Sequence, residues 1–429
     1  MELKNVTING YRNVYDTTIN FNERTSILSL NNFGKSNLLT SLVFGLSFIQ
    51  QHPKIKQNMM NDIKCIPSLK TIDSNIYSFE LNGETIFENQ KCFISYSFAF
   101  NWASYKNQTP GQIIYELLKI KIDSQTATTY IKRENKTAFY KSSKTGRCDS
   151  KILIENNELV LNKLFAFDNL YYNLLLKEIQ NINVYIDRHF DTNSGYGITF
   201  MSEQELTDLT LKPEINIPKT LYRIKENHAD KFALLVNVFT SLFPSIKSLY
   251  VEEVSNNIVS QIKMKNNDTV QNFSDKYYLL FVDDENLNTS INFLAMSDGA
   301  RRILLLLTFV VLAQINNYDL ICIEEPENSI HPGLLRRFLY TISELSGKTK
   351  LLFSSHSPYL INYMQPENIY LGLPNSKGAA IFKKLKTNAN AKKKLIRDVS
   401  DSNMQLGDYL FDLMSGSEED IKELKSYVE

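Results

Sequence analysis

The chain has 429 residues, with 47 Lys+Arg against 47 Asp+Glu, so its formal net charge is zero. That balance excludes a polycationic nucleic-acid coat and a disordered acidic tail. With 43% hydrophobic and 11% aromatic residues the chain can bury a sizeable core, and at roughly 150 residues per domain its length allows two or three units.

Met1-Glu2-Leu3-Lys4-Asn5 is not a basic segment followed by an apolar stretch, so no signal peptide is expected. The longest apolar run, Ile303 to Ala313, is broken only by Thr308 and is shorter than the roughly 20 residues that cross a bilayer; it reads as a buried helix. Cys65, Cys92, Cys148 and Cys322 lack the paired spacing of a zinc site or a disulfide framework. A cytoplasmic protein with free thiols and no membrane partner is the expectation.

In chain order, Val6 to Tyr11, Thr18 to Phe21 and Thr25 to Leu30 read as strands, Asn31 to Gly34 as a turn and Asn37 to Ile49 as a helix. Gln51 to Asn75 reads as an irregular surface excursion. Tyr77 to Glu80, Cys92 to Phe100, Ile113 to Ile122 and Thr128 to Lys132 follow as strands, with a turn expected at Asn82-Gly83. Helical blocks are expected over Asn162 to Ile182 and Leu221 to Leu242, with a Gly- and Ser-containing loop at Asn193 to Tyr196 between them. Sustained heptads are absent, which argues against a long coiled-coil arm. Ile303 to Ile315 then reads as a helix, Leu320 to Ile323 as a buried strand, Leu334 to Glu344 as a helix, and Lys350 to Phe353 as a strand ending at Ser354-Ser355-His356. Alternation of this kind implies an α/β class with a helix-covered parallel sheet. The expected division is 1–135 (first lobe of a head), 136–245 (mostly helical insert), 246–380 (second lobe) and 381–429 (helical tail).

Four motifs carry chemistry. Ser29-Leu30-Asn31-Asn32-Phe33-Gly34-Lys35-Ser36 fits the phosphate-loop pattern G-x-x-x-x-G-K-[ST] except at its first position. Such a loop wraps backbone N–H groups around a phosphate at a helix N-terminus, with Lys35 reaching the outer phosphates and the Ser36 hydroxyl on magnesium. Asp319 to Ile323 delivers Glu324 and Glu325 to a sheet edge. Adjacent strand residues face opposite sides, so Glu324 is assigned to the metal and Glu325 to an attacking water. The alternative is a solvated acidic turn before Pro326. His356, at a strand's carboxyl end, can hydrogen-bond a terminal phosphate or the water that attacks it, or be structural. Ser297-Asp298-Gly299-Ala300-Arg301-Arg302 opens the apolar helix and offers either an anion site or an ordinary N-cap.

The order of phosphate loop, serine-glycine helix start, paired acids and terminal histidine resembles ABC-type ATPase heads of the SMC, RecF and OLD class. The resemblance rests on Gly34-Lys35-Ser36-Asn37-Leu38-Leu39, Leu294 to Arg302, Glu324-Glu325-Pro326-Glu327 with His331-Pro332, and Ser355-His356-Ser357-Pro358. It implies an ABC/SMC-like P-loop ATPase head that binds ATP and Mg2+ at Asn31 to Asn37, with Arg12 approaching the phosphates and Ser36 and Glu324 on the metal. It implies Glu325 as general base and His356 as γ-phosphate sensor. Ser297, Asp298 and Gly299 would act in trans in a head-to-head dimer or a higher oligomer, with Asn328 to His331 in the loop that crosses the interface. Glu324 stands where that class more often has aspartate, and the glutamine-containing loop of the class has no clear match at Gln50 or Gln51.

Within that class the chain is most similar to stand-alone ATPases of bacterial abortive-infection and anti-phage systems, of AbiL or PARIS type. These work with a separately encoded nuclease or toxin. The alternatives are a RecF- or SMC-like DNA-repair ATPase, with DNA touching Lys383-Lys384 and Lys392-Lys393-Lys394, and an OLD-type nuclease. The residues after His356 are expected to be too few for a TOPRIM nuclease domain, and Asp283-Asp284 reads as a turn.

Overall fold

The structure is a computed structural model that describes every residue except 31–32, 68–74, 105–106, 168, 188–193, 197–208, 210–214 and 256–275. The chain forms two compact units, Met1–Ile186 with Lys350–Glu429, and Asp187–Thr349. The first unit thus contains both chain ends. The ladder of its larger sheet continues past residue 135 through Thr137–Lys141 and Cys148–Ile152.

That larger sheet is antiparallel, in the order Thr17–Asn20, Glu2–Asn9, Ile76–Phe87, Gln90–Asn101, Gln112–Ile122, Thr128–Glu134, Thr137–Lys141, Cys148–Ile152. Period-two alternation buries Tyr77, Phe79, Leu81, Tyr96 and Phe98 on one face. Helix Lys35–Gln50 lies on this face: Phe48 stacks on Phe98 and Phe100 at 5.0 and 4.9 Å, and a Cβ on Gly45 would fall 2.1 Å from the Phe79 ring. The helix that follows the phosphate loop is therefore fixed to a rigid platform.

The expected turn at Asn82-Gly83 is strand interior, paired with Asn5 and Leu3 on one side and Ser95 and Ile94 on the other. A Cβ on Gly83 would meet Met1 Sδ at 2.8 Å and Glu2 O at 2.9 Å, so the glycine serves close packing. The hairpin turns instead at Glu88-Asn89, both left-handed with φ of 50° and 62°. The supposed irregular excursion contains helix Pro53–Met60, with Lys56 and Met60 buried. The helical block at 162–182 is two helices, Val160–Phe165 and Asn173–Gln180, with residues 166–172 between them; Tyr172 is buried edge-on to Tyr130 at 4.9 Å.

The first unit's second group of strands runs Lys350–Ser355, Arg24–Leu28, Ile369–Pro374, all parallel, with Ala380–Lys384 antiparallel at the end. Lys350–Ser355 is buried at every residue, as a strand covered on both faces must be.

The second unit holds a three-stranded antiparallel sheet, Ile246–Ser255, Lys276–Asp284 and Ile291–Asn292. Asp283 and Asp284 end its middle strand, bonded to Ser248, Ser290 and Ser245, which is why the turn starts only after them. Helices Ile217–Asn227 and Ala229–Leu242 replace the single expected block, broken at His228 where φ is -144° and ψ 60°. Helix Asp298–Ile315 is buried on all sides from Arg302 to Ala313 and packs on Ala229–Leu242 and Pro332–Ser346. Among the described residues no helix is long and apolar enough to cross a membrane.

Candidate nucleotide-binding site

In the first unit, strand Arg24–Leu28 feeds the phosphate loop, and helix Lys35–Gln50 leaves it. Gly34 is left-handed (φ 95°), and a Cβ there would lie 3.0 Å from Asn13 Oδ1 and 3.2 Å from Ala380 Cβ. Both its backbone and its surroundings require glycine. The Lys35 ammonium donates to the Ser29 and Leu30 carbonyls at 2.7 and 3.3 Å, which holds it across the loop. Ser36 is exposed in the first helical turn, where backbone N–H groups lack intrahelical partners. Phe33 is half-buried; Asn31 and Asn32 lie outside the described residues.

Ser29 replaces the motif's first glycine, and the neighbouring strand makes room for it. It is fully buried, and a Cβ on Gly372 would stand 2.7 Å from Ser29 Cβ and 2.6 Å from Phe382. The small residue has in effect been transferred to the next strand.

Arg12 reaches the same place. Its backbone is left-handed (φ 50°), its Nε donates to Lys64 O at 2.8 Å, and its Nη1 donates to Asn37 Oδ1 at 2.8 Å. Asn37 in turn donates to Asn13 Oδ1 at 2.8 Å, the atom beside Gly34. The structure thus joins Arg12, Asn13, Gly34 and Asn37 in one network. Asn13 was not singled out by sequence, because its role depends on the long-range approach of the 10–14 turn to the loop.

Strand Lys350–Ser355 pairs in parallel with Arg24–Leu28, Ser355 opposite Leu28. Half-buried His356 therefore leaves the sheet at the carboxyl edge from which the phosphate loop also departs, where ligands of parallel sheets bind. Ser355 Oγ accepts from the Ser357 N–H at 2.8 Å and shapes that exit.

The second unit carries the acids and the serine-glycine helix start. Buried Leu320 to Ile323 drive strand Leu320–Glu324 into the core and leave Glu324 half-buried at its end. Burial, and then the Glu324 charge, pushes the Cys322 thiol well above its ordinary range. Glu325 departs from expectation: it is outside the strand, with φ of 49°. Strand alternation does not aim it; a left-handed turn does. Its Oε2 accepts from Asn328 Nδ2 at 2.7 Å. His331 is the exposed N-cap of helix Pro332–Ser346, its Nδ1 accepting from the Gly333 N–H at 3.2 Å.

Ser297 is an N-cap, its Oγ accepting from the Ala300 N–H at 3.3 Å, and Asp298 pairs with Arg301. Gly299 has a packing reason of its own: a Cβ there would lie 2.6 Å from Ser329 O. A buried ion pair ties this helix down. Arg302 and Asp187, both buried, pair at 2.8 Å, and Arg302 Nη2 is 3.5 Å from Glu324 O. Nothing in the sequence signals it, since the partners are 115 positions apart.

The loop set and the acid set stand on different units, each fixed within its own. The first is built to hold an anion and the second presents carboxylates. Among the described residues no three His, Cys, Asp or Glu side chains cluster as a metal site. The Ser36 hydroxyl in the first unit and the Glu324 carboxylate in the second are each hard oxygen donors of the kind that suits magnesium.

No curated protein matches the chain. Among solved structures the chain is similar to the SMC head domain from Thermotoga maritima, at 12% identity over 90% of this chain and 100% of that one, TM-score 0.42. It is similar to the Smc head domain with an extended coiled coil, bound to the C-terminal domain of ScpA derived from Pyrococcus furiosus, at 9% identity over 94% and 99%, TM-score 0.43. It is also similar to the recombination mediator protein RecF, at 12% identity over 90% and 98%, TM-score 0.38. Residues 30–362 match the sequence profile described as "AAA domain, putative AbiEii toxin, Type IV TA system", and the chain belongs to that family.

Proposed function

We propose that the protein is an ATP-hydrolysing head that controls a separately encoded effector, a nuclease or toxin, in a bacterial anti-phage system. The observation that carries the nucleotide reading is the phosphate loop itself: a left-handed Gly34, the Lys35 ammonium over the loop, and His356 leaving the same sheet edge. The loop N–H groups and Lys35 bind the triphosphate, and Arg12, held by Asn37, adds positive charge. Ser36 and Glu324 would each offer an oxygen ligand to magnesium, which would supply positive charge against the phosphates.

A water attacks the γ-phosphorus, the bond to the ADP oxygen breaks, and Glu325 takes the proton from the water. His356 hydrogen-bonds the γ-phosphate. In a head-to-head dimer, Ser297, Asp298 and Gly299 meet the partner's terminal phosphate and Asn328 to His331 line the crossing loop, so that ATP closes the dimer and hydrolysis reopens it. The family description and the resemblance to abortive-infection ATPases support the defence role.

Lys35→Ala should lose nucleotide binding in an equilibrium titration. Glu325→Gln should bind ATP like the parent and hydrolyse it at least about a hundredfold more slowly. Parent-like turnover of Glu325→Gln would remove Glu325 as the base. Co-purification of the neighbouring gene's product with the Glu325→Gln protein in ATP tests the effector role; an adjacent DNA-repair protein in its place would favour the repair reading.

A further inference from the structure

We propose that Asn328 is a positioning residue that orients Glu325 and links it mechanically to the start of helix Asp298–Ile315; this rests on the reading of Glu325 as general base. The turn from Glu325 to Asn328 is closed twice. The Asn328 N–H donates to the Glu325 carbonyl at 3.1 Å, and Asn328 Nδ2 donates to Glu325 Oε2 at 2.7 Å. Glu325 has a left-handed backbone, which a residue with a Cβ adopts only where its surroundings impose it. Buried Pro326 stiffens the turn and the Ile330 N–H closes the next one on the Glu327 carbonyl at 3.0 Å. A carboxylate that must receive a proton from one direction gains from a donor that fixes its plane, and an amide supplies this without a competing charge.

The same turn reaches the serine-glycine helix start. Ser329, also left-handed at φ 64°, presents its carbonyl where a Cβ on Gly299 would sit, at 2.6 Å. Glycine lets the loop backbone and the first helical turn lie against each other, so a displacement of residues 297–299 moves Ser329, and with it Asn328 and the Glu325 carboxylate. An occupant at the helix start is thereby reported to the base of the same chain.

The test is a double-mutant cycle on the full chain, reading kcat, KM for ATP, equilibrium ATP binding and the thermal midpoint. Asn328→Ala removes the donor, and the near-isosteric Asn328→Asp also places a like charge beside Glu325. The expected result is a kcat lowered about tenfold for Asn328→Ala and further for Asn328→Asp, with KM, ATP binding and midpoint close to the parent's. In a Glu325→Gln background neither change should lower kcat again. Parent-like kcat for both variants, or an undiminished further loss in the Glu325→Gln background, would overturn the positioning role. A Glu325→Gln protein that turns over normally would instead overturn the general-base reading beneath it.

Discussion

Lys56 shows how one residue can be given away by composition and decided by burial. It lies in a polar stretch, yet it is fully buried, its Nζ donating to Asn162 Oδ1 at 2.9 Å and to Gln51 O, 5.7 Å from the Phe48 ring centre. Burial pushes its pKa down to about 8, against the opposing pull of Glu116 and Glu158. The folded state then binds fewer protons than the unfolded chain between about pH 8 and the ordinary lysine value of 10.5. Stability should therefore rise with pH across that window, by at most about 1.4 kcal/mol per pH unit. Replacing it in Lys56→Met should flatten this rise, read as the difference between the two proteins' denaturation midpoints from pH 7.5 to 10. Gly299 and Gly34 make the same point: the motif names them, but Ser329 and Asn13 explain them.

Between elements, the strongest tie that sequence could not announce is Asp187 with Arg302. It joins the end of strand Val184–Asp187 to the first turns of helix Asp298–Ile315, with Glu324 O beside it. Removing one partner leaves a buried charge without its counter-ion, so Asp187→Ala should destabilise the protein by about 3–5 kcal/mol in chemical denaturation. Asp187→Asn, which keeps a hydrogen-bond acceptor, should cost less. Periodicity placed the strands and long helices well because burial alternates along them, and it failed where packing overrode local signals. Asn82-Gly83 reads as a turn but lies inside a ladder that needs a close approach, and Glu325 reads as strand but sits in a left-handed turn. The Ser29 departure from the loop motif is likewise resolved only by Gly372 on the adjacent strand.

At the scale of the molecule, zero net charge fits the proposal that the protein binds its anion at one loop and not over a charged surface. The lysines named as a local basic patch are partly committed to the fold, since Lys394 lies 4.7 Å over the Tyr427 ring and bonds Ser426. The dimer proposal predicts that Glu325→Gln with ATP and magnesium runs at twice the monomer mass in light scattering. It should run as the monomer without nucleotide, and combining it with Lys35→Ala should abolish the shift. A mass independent of ATP would sink the cycle.

The sequence alone determined the α/β class, the phosphate loop, the acid strand and the apolar helix, because each is a local pattern of side chains whose spacing matches one backbone period. The tertiary structure decided what those patterns do together: where the two compact units divide, which glycines are packing requirements, why Ser29 is tolerated, and how Glu325 is aimed. Those are properties of residues distant in the chain brought within a few ångströms, and no window of sequence holds both partners.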